Sequence, residues 1–304
     1  MLSIYRKTHP ILDAVRRYCA LTPEHRGKER LRQLVFGRAL KRLDQVQVPL
    51  YPYGSLSMRV SPQQEIGRDI FLNGLYERLY ALKFSELINS GDIVLDIGAN
   101  SGQYTLLSAL MTGDLGHVYA FEPTPHKYEE LTTHVELNPL KNVSCLPYAL
   151  SNQDGFAHMN VMRDDNDGMH HLVSDTAECS GSVVKVETKT INTFLNSLSS
   201  HQEIDVIKID VEGWEESVFC GASKLFGQKK PPTIFLESIE EHANRFGLSA
   251  LRLRDMLINH GYSLIDRDPA TRCWRQIVDP HDQKHINLFA VHPSRSDVLN
   301  RLIY

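Results

Sequence analysis

An α/β fold is predicted for this chain: a mostly parallel sheet with helices on both faces, preceded by a small helical appendage. Three observations predict it. From about residue 60, short β-branched runs alternate with segments of helical spacing, the pattern of strands joined by crossover helices. At 304 residues and 42% hydrophobic content, the chain can bury the core of one generous domain and still carry an appendage. The first 45 residues differ from the rest in both charge and periodicity.

Those first residues read as helical. The stretches "PILDAVRRYCAL" and "KERLRQLVFGRALKRLDQV" set Leu31, Leu34, Val35 and Leu40 near helical spacing. They hold 11 Lys/Arg against 4 Asp/Glu, leaving 22 against 33 in the remainder. A net charge of −4 gives no global reason to expect nucleic acid. The basic segment suits a peripheral contact with an anionic membrane surface or an acidic partner, although a solvated helix face is the blander alternative. "VPLYPYGSLS", 48 to 57, is rich in proline, glycine and serine and reads as a connection. The expected division is therefore an appendage and linker over 1–58 and a main domain over 59–304.

Beyond it, "IVLDI" (93–97) is a strand, "QYTLLSALM" a helix, and "HVYAF" (117–121) a second strand. "TPHKYEELTTHVEL" is a helix with Thr124 as N-cap and Pro125 at its first position. "NVSCL" is the third strand and "IDVIKI" (204–209) the fourth. "WEESVFCGASKLF" is a helix, "TIFLE" (233–237) the fifth strand, and "SALRLRDMLINHG" a helix closed by Gly261. "YSLI" and "INLFAV" end the series on either side of a polar loop. Between the third and fourth strands lies a long segment without a readable motif over 156–182.

The five cysteines are scattered, odd in number and never spaced as CxxC, which argues against a disulfide framework or a zinc knuckle. No apolar run approaches the roughly 18 residues of a membrane-spanning helix. The first residues lack the continuous apolar centre of a signal peptide. A cytoplasmic, reducing setting is expected.

Parallel strands of such a sheet end at one rim, where ligands bind, so the strand ends carry the functional reading. The first ends Asp96-Ile97-Gly98-Ala99-Asn100-Ser101-Gly102. A dinucleotide fingerprint wants glycine where Asn100 stands, and a carboxylate beside pyrophosphate adds repulsion. Asp96 suits the ammonium of a methionine moiety instead, so the turn fits S-adenosylmethionine better than a diphosphate. A tight turn with no ligand is the bland alternative. Glu122 ends the second strand 24 residues after Gly98, placed for ribose hydroxyls. Around Ala149, after the third strand, backbone and small side chains can line an adenine. The fourth strand delivers Asp210, with Glu212 and Glu215 just beyond, and the fifth ends at Glu237. Such acids are either a solvated helix start or a working cluster.

The motif series "VLDIGANSGQYTLLSA", "VYAFEPTPHKYEEL", "ALSNQDG" and "IKIDVEGWE", with "EIGRDIFLNGLYE" upstream, resembles the FkbM family of S-adenosylmethionine-dependent methyltransferases over roughly residues 63–292. The resemblance implies a class I methyltransferase (Rossmann-like) sheet of seven strands whose last two runs pair antiparallel. It implies S-adenosylmethionine as cofactor and methyl transfer to a hydroxyl of a sugar, glycan or other natural product. Carried over, Asp96, Gly98, Asn100 and Gly102 would hold the methionine part, Glu122 the ribose, and Asp210 the rim near the sulfonium. Tyr76 and Glu77 would close over the cofactor. Trp214, standing where a small residue is commoner, either narrows the acceptor pocket or is core.

Methyl transfer is an in-line displacement, and an alcohol needs a base as the bond forms. Asp210 with Glu212 is the expected pair, because the strand end fixes their place; Glu215, His170 and His171 are the other candidates. A divalent metal on Asp210, Glu212 and Glu237 is a possible addition that the expected site does not include. "IEEHANRFG" (239–247), with His242, is expected as an exposed helix. Two other classes remain open: an adenosylmethionine-binding module without turnover, and an NAD-dependent sugar-modifying enzyme, which Asp96 and Asn100 disfavour.

Overall fold

The computed structural model describes residues 10–22, 26–36, 44–161, 171–173, 182–198, 202–284 and 286–303. The chain opens with helices α1 (Pro10–Leu21) and α2 (Arg26–Phe36). The second helix, expected to run to residue 46, is described only to Phe36, and Val46 already begins strand β1 (Val46–Pro49). β1 pairs antiparallel with β2 (Ser57–Val60), so the stretch expected as a connection is a hairpin. Its Val46, Val48, Leu50, Leu56 and Met58 are buried in a main core. The strand pattern is four residues long on each side of a proline-rich turn, too short to read against that composition.

The remaining elements are α3 (Glu65–Asn73), α4 (Arg78–Leu87), β3 (Ile93–Ile97), α5 (Gln103–Thr112), β4 (His117–Phe121), α6 (Pro125–Glu136) and β5 (Val143–Leu146). A four-stranded unit follows: β6 (Ala149–Leu150), β7 (Gly155–Val161), β8 (His171–Val173) and β9 (Ser182–Lys189). Then come α7 (Ile191–Ser197), β10 (Val206–Ile209), α8 (Glu215–Cys220), α9 (Ser223–Phe226), β11 (Thr233–Glu237), α10 (Glu240–Asn244) and α11 (Ala250–Asn259). β12 (Ser263–Arg267), β13 (Trp274–Gln276), β14 (Asn287–Val291) and α12 (Ser296–Ile303) close the chain.

The main sheet has the order β13-β12-β14-β11-β10-β3-β4-β5. Strands β5, β4, β3, β10 and β11 run parallel, and β14 runs against both β11 and β12. The seven strands that the resemblance implies are present, with the antiparallel pair at the end of the chain. An eighth, β13, extends the edge beside β12. Its "WRQ" run is short and polar; Trp274 anchors it by meeting Phe289 and Tyr80 edge-on, with ring centres 5.4 Å apart in each case.

Strand side chains alternate between two cores, as the period of two requires. Val94, Val206, Phe235 and Phe289 face one, shared with the β1–β2 hairpin, α3, α4 and α12. Leu95, Ile97, Ile207, Ile209 and Ile234 face the other, under α7, α8 and α11. The expected helix over "WEESVFCGASKLF" is two short ones, α8 and α9, parted at Gly221. A Cβ on Gly221 would stand 2.3 Å from the Ser151 carbonyl oxygen, so the break lets two backbones touch. The long segment after β5 holds a sheet of order β6-β9-β7-β8 that the sequence reading did not resolve. Thr124 and Pro125 start α6 as expected, although the threonine side chain makes no capping bond. Among the described residues no helix is long and apolar enough to cross a membrane. Cys19, Cys145, Cys220 and Cys273 form no disulfide among the described residues, and Cys179 lies outside them.

Candidate active site

The turn after β3 is built from left-handed backbone: Gly98 at φ +74°, Asn100 at +49° and Gly102 at +94°. At Gly98 glycine is obligatory. A Cβ there would lie 1.9 Å from the Asp210 carbonyl oxygen, so the ends of β3 and β10 meet backbone to backbone. The amides of Gly98 and Ala99 both donate to the Phe121 carbonyl, at 3.1 and 3.0 Å, which seats the turn on the end of β4. Glu122 then locks it: one carboxylate oxygen accepts the Asn100 amide at 2.9 Å and the other the Thr124 amide at 2.8 Å. Burial pushes the Glu122 carboxyl up, against the pull of these hydrogen bonds.

Asp96 and Lys208 are register partners on β3 and β10 and share the face under α5. Asp96 is fully buried; Thr105 donates to it at 2.5 Å, and the Lys208 ammonium stands 3.8 Å away. The same ammonium donates to the Gly98 carbonyl at 2.8 Å and lies 3.6 Å from Asp210. Burial pulls the Lys208 pKa down, but Asp210, Asp96 and Glu77 more than offset it and the net direction is up. Burial, with a smaller push from Asp210, raises Glu77. Glu77 starts α4 in left-handed backbone, at φ +46°, and accepts from Asn287 at 2.7 Å and Tyr104 at 3.3 Å. Gln103, the first residue of α5, clamps the neighbouring turn by bonding both the amide and the carbonyl of Tyr76, at 2.7 and 3.0 Å.

The loop after β10 is held by its own side chain. Glu215 is buried and accepts the amides of Val211 and Gly213 at 2.9 and 3.3 Å; burial pushes its carboxyl up to about 7. Glu212, in left-handed backbone at φ +56°, reaches His242, whose Nδ1 lies 3.3 Å from Glu212 and 3.7 Å from Glu237. Contact with Glu212, then with Glu237, holds the imidazole up at about 10. Burial, then the charge of Asp210, raises Glu237 to about 8. The helix expected to be exposed thus turns His242 inward: α10 is short, and two carboxylates lie under it.

The residues from Asp96 to Leu264 match a family model described as the methyltransferase FkbM domain. The chain belongs to the FkbM methyltransferase family. Methyltransferase 1 of Beauveria bassiana (strain ARSEF 2860) is 24% identical over 148 residues, which is 42% of this chain and 57% of that relative. The match thus spans little more than half of the curated relative's length. Among solved structures, Trm5b from Pyrococcus abyssi gives a TM-score of 0.41 at 11% identity, covering 82% of this chain and 55% of that one. SMU.1697c of Streptococcus mutans, described as a methyltransferase in complex with SAH, gives 0.40 at 10% identity over 70% of this chain and 94% of that one. The strand order, and not these distant likenesses, carries the assignment of a class I methyltransferase sheet.

A cleft open to solvent, with about 630 Å³ of free space counting its open mouth, lies outside the ends of β3, β4 and β10, where the strand order of this FkbM domain reverses. Of the residues singled out from sequence, Gly98, Asn100, Glu122, Ala149, Asp210 and Glu212 line it. Asp96 lies beneath it, bonded to Thr105, and Gly102 stands at the start of α5 with Leu131 behind it. Glu77 lines a second, larger cavity between α2 and α4, together with Lys28, Arg32 and Arg78. Trp214 both lines the cleft and packs, its indole nitrogen donating to Ser151 at 3.0 Å and its ring meeting Phe246 edge-on. His170 is outside the described residues, and of His171 only the backbone, in β8, is described. Lys208 was missed in the sequence, where a lysine inside "VIKI" on an otherwise apolar buried strand was the available signal. Met159, which lines the cleft from β7, gave no signal at all.

Proposed function

We propose that the protein transfers the methyl group of S-adenosylmethionine to a hydroxyl of a sugar, glycan or other natural product. The observation that carries this reading is the cleft itself, in which the glycine turn, Glu122 and Asp210 converge from three adjacent strand ends. In this reading Glu122 keeps accepting the Asn100 and Thr124 amides while its remaining lone pairs receive the ribose hydroxyls. Gly98, Asn100 and Gly102 shape the turn for the methionine part, Ala149 lines the adenine, and Asp96 acts from below by holding Lys208. Glu77 closes the opposite side.

The acceptor oxygen must approach opposite the sulfonium, at the Asp210 and Glu212 end of the cleft. Asp210 is the more open of the two and takes the hydroxyl proton; Glu212, paired with His242, steadies the charge beside it. Glu77 lines the second cavity, beside Lys28, Arg32 and Arg78. The negative field of the carboxylates favours a small-molecule or glycan acceptor over nucleic acid. The basic helices α1 and α2 are taken as an appendage to a domain whose core the β1–β2 hairpin joins, with the cytoplasm as its setting.

Calorimetry with S-adenosylhomocysteine and with NAD tests the cofactor. Micromolar S-adenosylhomocysteine binding, weakened about tenfold or more by Glu122→Ala through the lost hydrogen bonds, with no heat from NAD, is the expected result. Asp210→Asn should retain that binding and lose acceptor-dependent formation of S-adenosylhomocysteine. Binding of NAD, or of neither ligand, overturns the reading, and binding without turnover of any sugar or polyol acceptor turns it into that of a binding module.

A further inference from the structure

We propose that Glu212, Glu237 and His242 form a binding site for a divalent metal ion at the acceptor end of the cleft. One carboxylate oxygen from each glutamate and one ring nitrogen of the histidine lie within 4.8 Å of one another. The nitrogen is 3.3 Å from one oxygen and 3.7 Å from the other. Neighbouring donors on an ion with bonds of about 2.1 Å stand about 3 Å apart, so the imidazole nitrogen already stands near coordination spacing from both oxygens. His242 Nδ1 is shielded from solvent and has no hydrogen bond of good geometry among the described residues.

The three donors come from three elements whose spacing is fixed by backbone contact. Glu237 is the last residue of β11. Glu212 takes its direction from a left-handed backbone that non-glycine residues adopt rarely. Gly213, at φ +100°, lets that loop touch α10: a Cβ there would stand 2.5 Å from the His242 carbonyl carbon. The Glu215 side chain ties the amides of Val211 and Gly213 from inside. A loop held this firmly presents Glu212 to His242 before any ligand arrives, as a first coordination shell requires.

Charge points the same way. Asp210 and Glu215 form a second group with Glu237, also within 4.8 Å, so four carboxylates gather at this end of the cleft. Lys208 is directed at Asp96, Asp210 and the Gly98 carbonyl. His242 stands beside both Glu212 and Glu237, whereas a divalent ion supplies twice the charge at the same point. Two hard oxygens and one imidazole favour Mn²⁺ over Mg²⁺ or Ca²⁺, which prefer oxygen throughout. Three protein donors leave half of an octahedral shell for water or for neighbouring hydroxyls of an acceptor. This last role rests on the methyl-transfer reading; the ion's binding does not.

The test is a Mn²⁺ titration of the full chain, followed by the loss of the free-ion electron paramagnetic resonance signal. One site is expected, with His242→Ala and Glu237→Gln each weakening it by about tenfold or more. Glu212→Gln gives a third reading if either of those variants misfolds. Glu241→Gln, on the same short helix but exposed, should bind Mn²⁺ as the wild type does. Absence of Mn²⁺ binding, or binding that the ligand variants leave unchanged, overturns the proposal. S-adenosylhomocysteine calorimetry on the same sample in EDTA separates the two readings: retained binding without Mn²⁺ binding removes the metal site alone, and the reverse removes the cofactor reading alone.

Discussion

Replacing Lys208 by methionine keeps the side chain's length and removes its charge. In the folded chain that ammonium is nearly out of solvent, 2.8 Å from the Gly98 carbonyl, 3.6 Å from Asp210 and 3.8 Å from Asp96. The lost charged hydrogen bond is worth about 1.5–3 kcal/mol. Orphaning the fully buried Asp96 is the larger effect, since breaking a buried pair from one side costs about 3–5 kcal/mol. Asp210 adds little, because it is about one third exposed and water replaces its partner. The terms overlap, so the expected loss is about 3–5 kcal/mol, read as a lower midpoint in urea unfolding followed by circular dichroism. Asp96→Asn in the same chain removes the orphaned charge while keeping an acceptor for Thr105, and should recover part of that loss. A coupling of about 1–3 kcal/mol between the two sites follows. A Lys208→Met variant within 1 kcal/mol of wild type, or two losses that simply add, would refute the claim that this pair holds β3 to β10.

Gly98→Ala places a Cβ 1.9 Å from the Asp210 carbonyl oxygen at φ +74°. Left-handed strain of about 1–2 kcal/mol and forced displacement of the Asp210 loop should cost about 2–4 kcal/mol together and weaken S-adenosylhomocysteine binding; unchanged melting and affinity would contradict the geometry. His134, whose ring contacts the Ser101 carbonyl at 2.6 Å and the Arg59 backbone, has its pKa lowered by burial. Its contribution to stability is therefore complete above the unfolded value of 6.5 and is lost as pH falls through the lower folded value. The melting difference between wild type and His134→Gln should shrink from pH 8 toward pH 5; a difference that grows would reverse the assigned direction.

The parts legible in the sequence were those set by local pattern. Apolar runs marked each parallel strand of the main sheet because both of its faces are covered. Gly98 and Glu122 were legible because a strand end fixes where the next residue can be. The β1–β2 hairpin was hidden by its proline-rich turn, and the β6–β9 unit by strands that alternate weakly and are joined by long connections. His242 was read as exposed because helix periodicity says nothing about which strand ends lie beneath a helix of five residues.

By itself, the sequence determined the alternation of strands and helices, the glycine turn that fits a diphosphate poorly, and the family to which the chain belongs. These depend on spacing along the backbone, which covalent geometry transmits over a few residues. Only the tertiary structure decided that Asp96 answers to Lys208 across 112 residues of chain numbering, or that Glu212, Glu237 and His242 share one point in space. Such convergence is set by strand order and register, and residues from separate strands carry no mark of their neighbour until the sheet has formed.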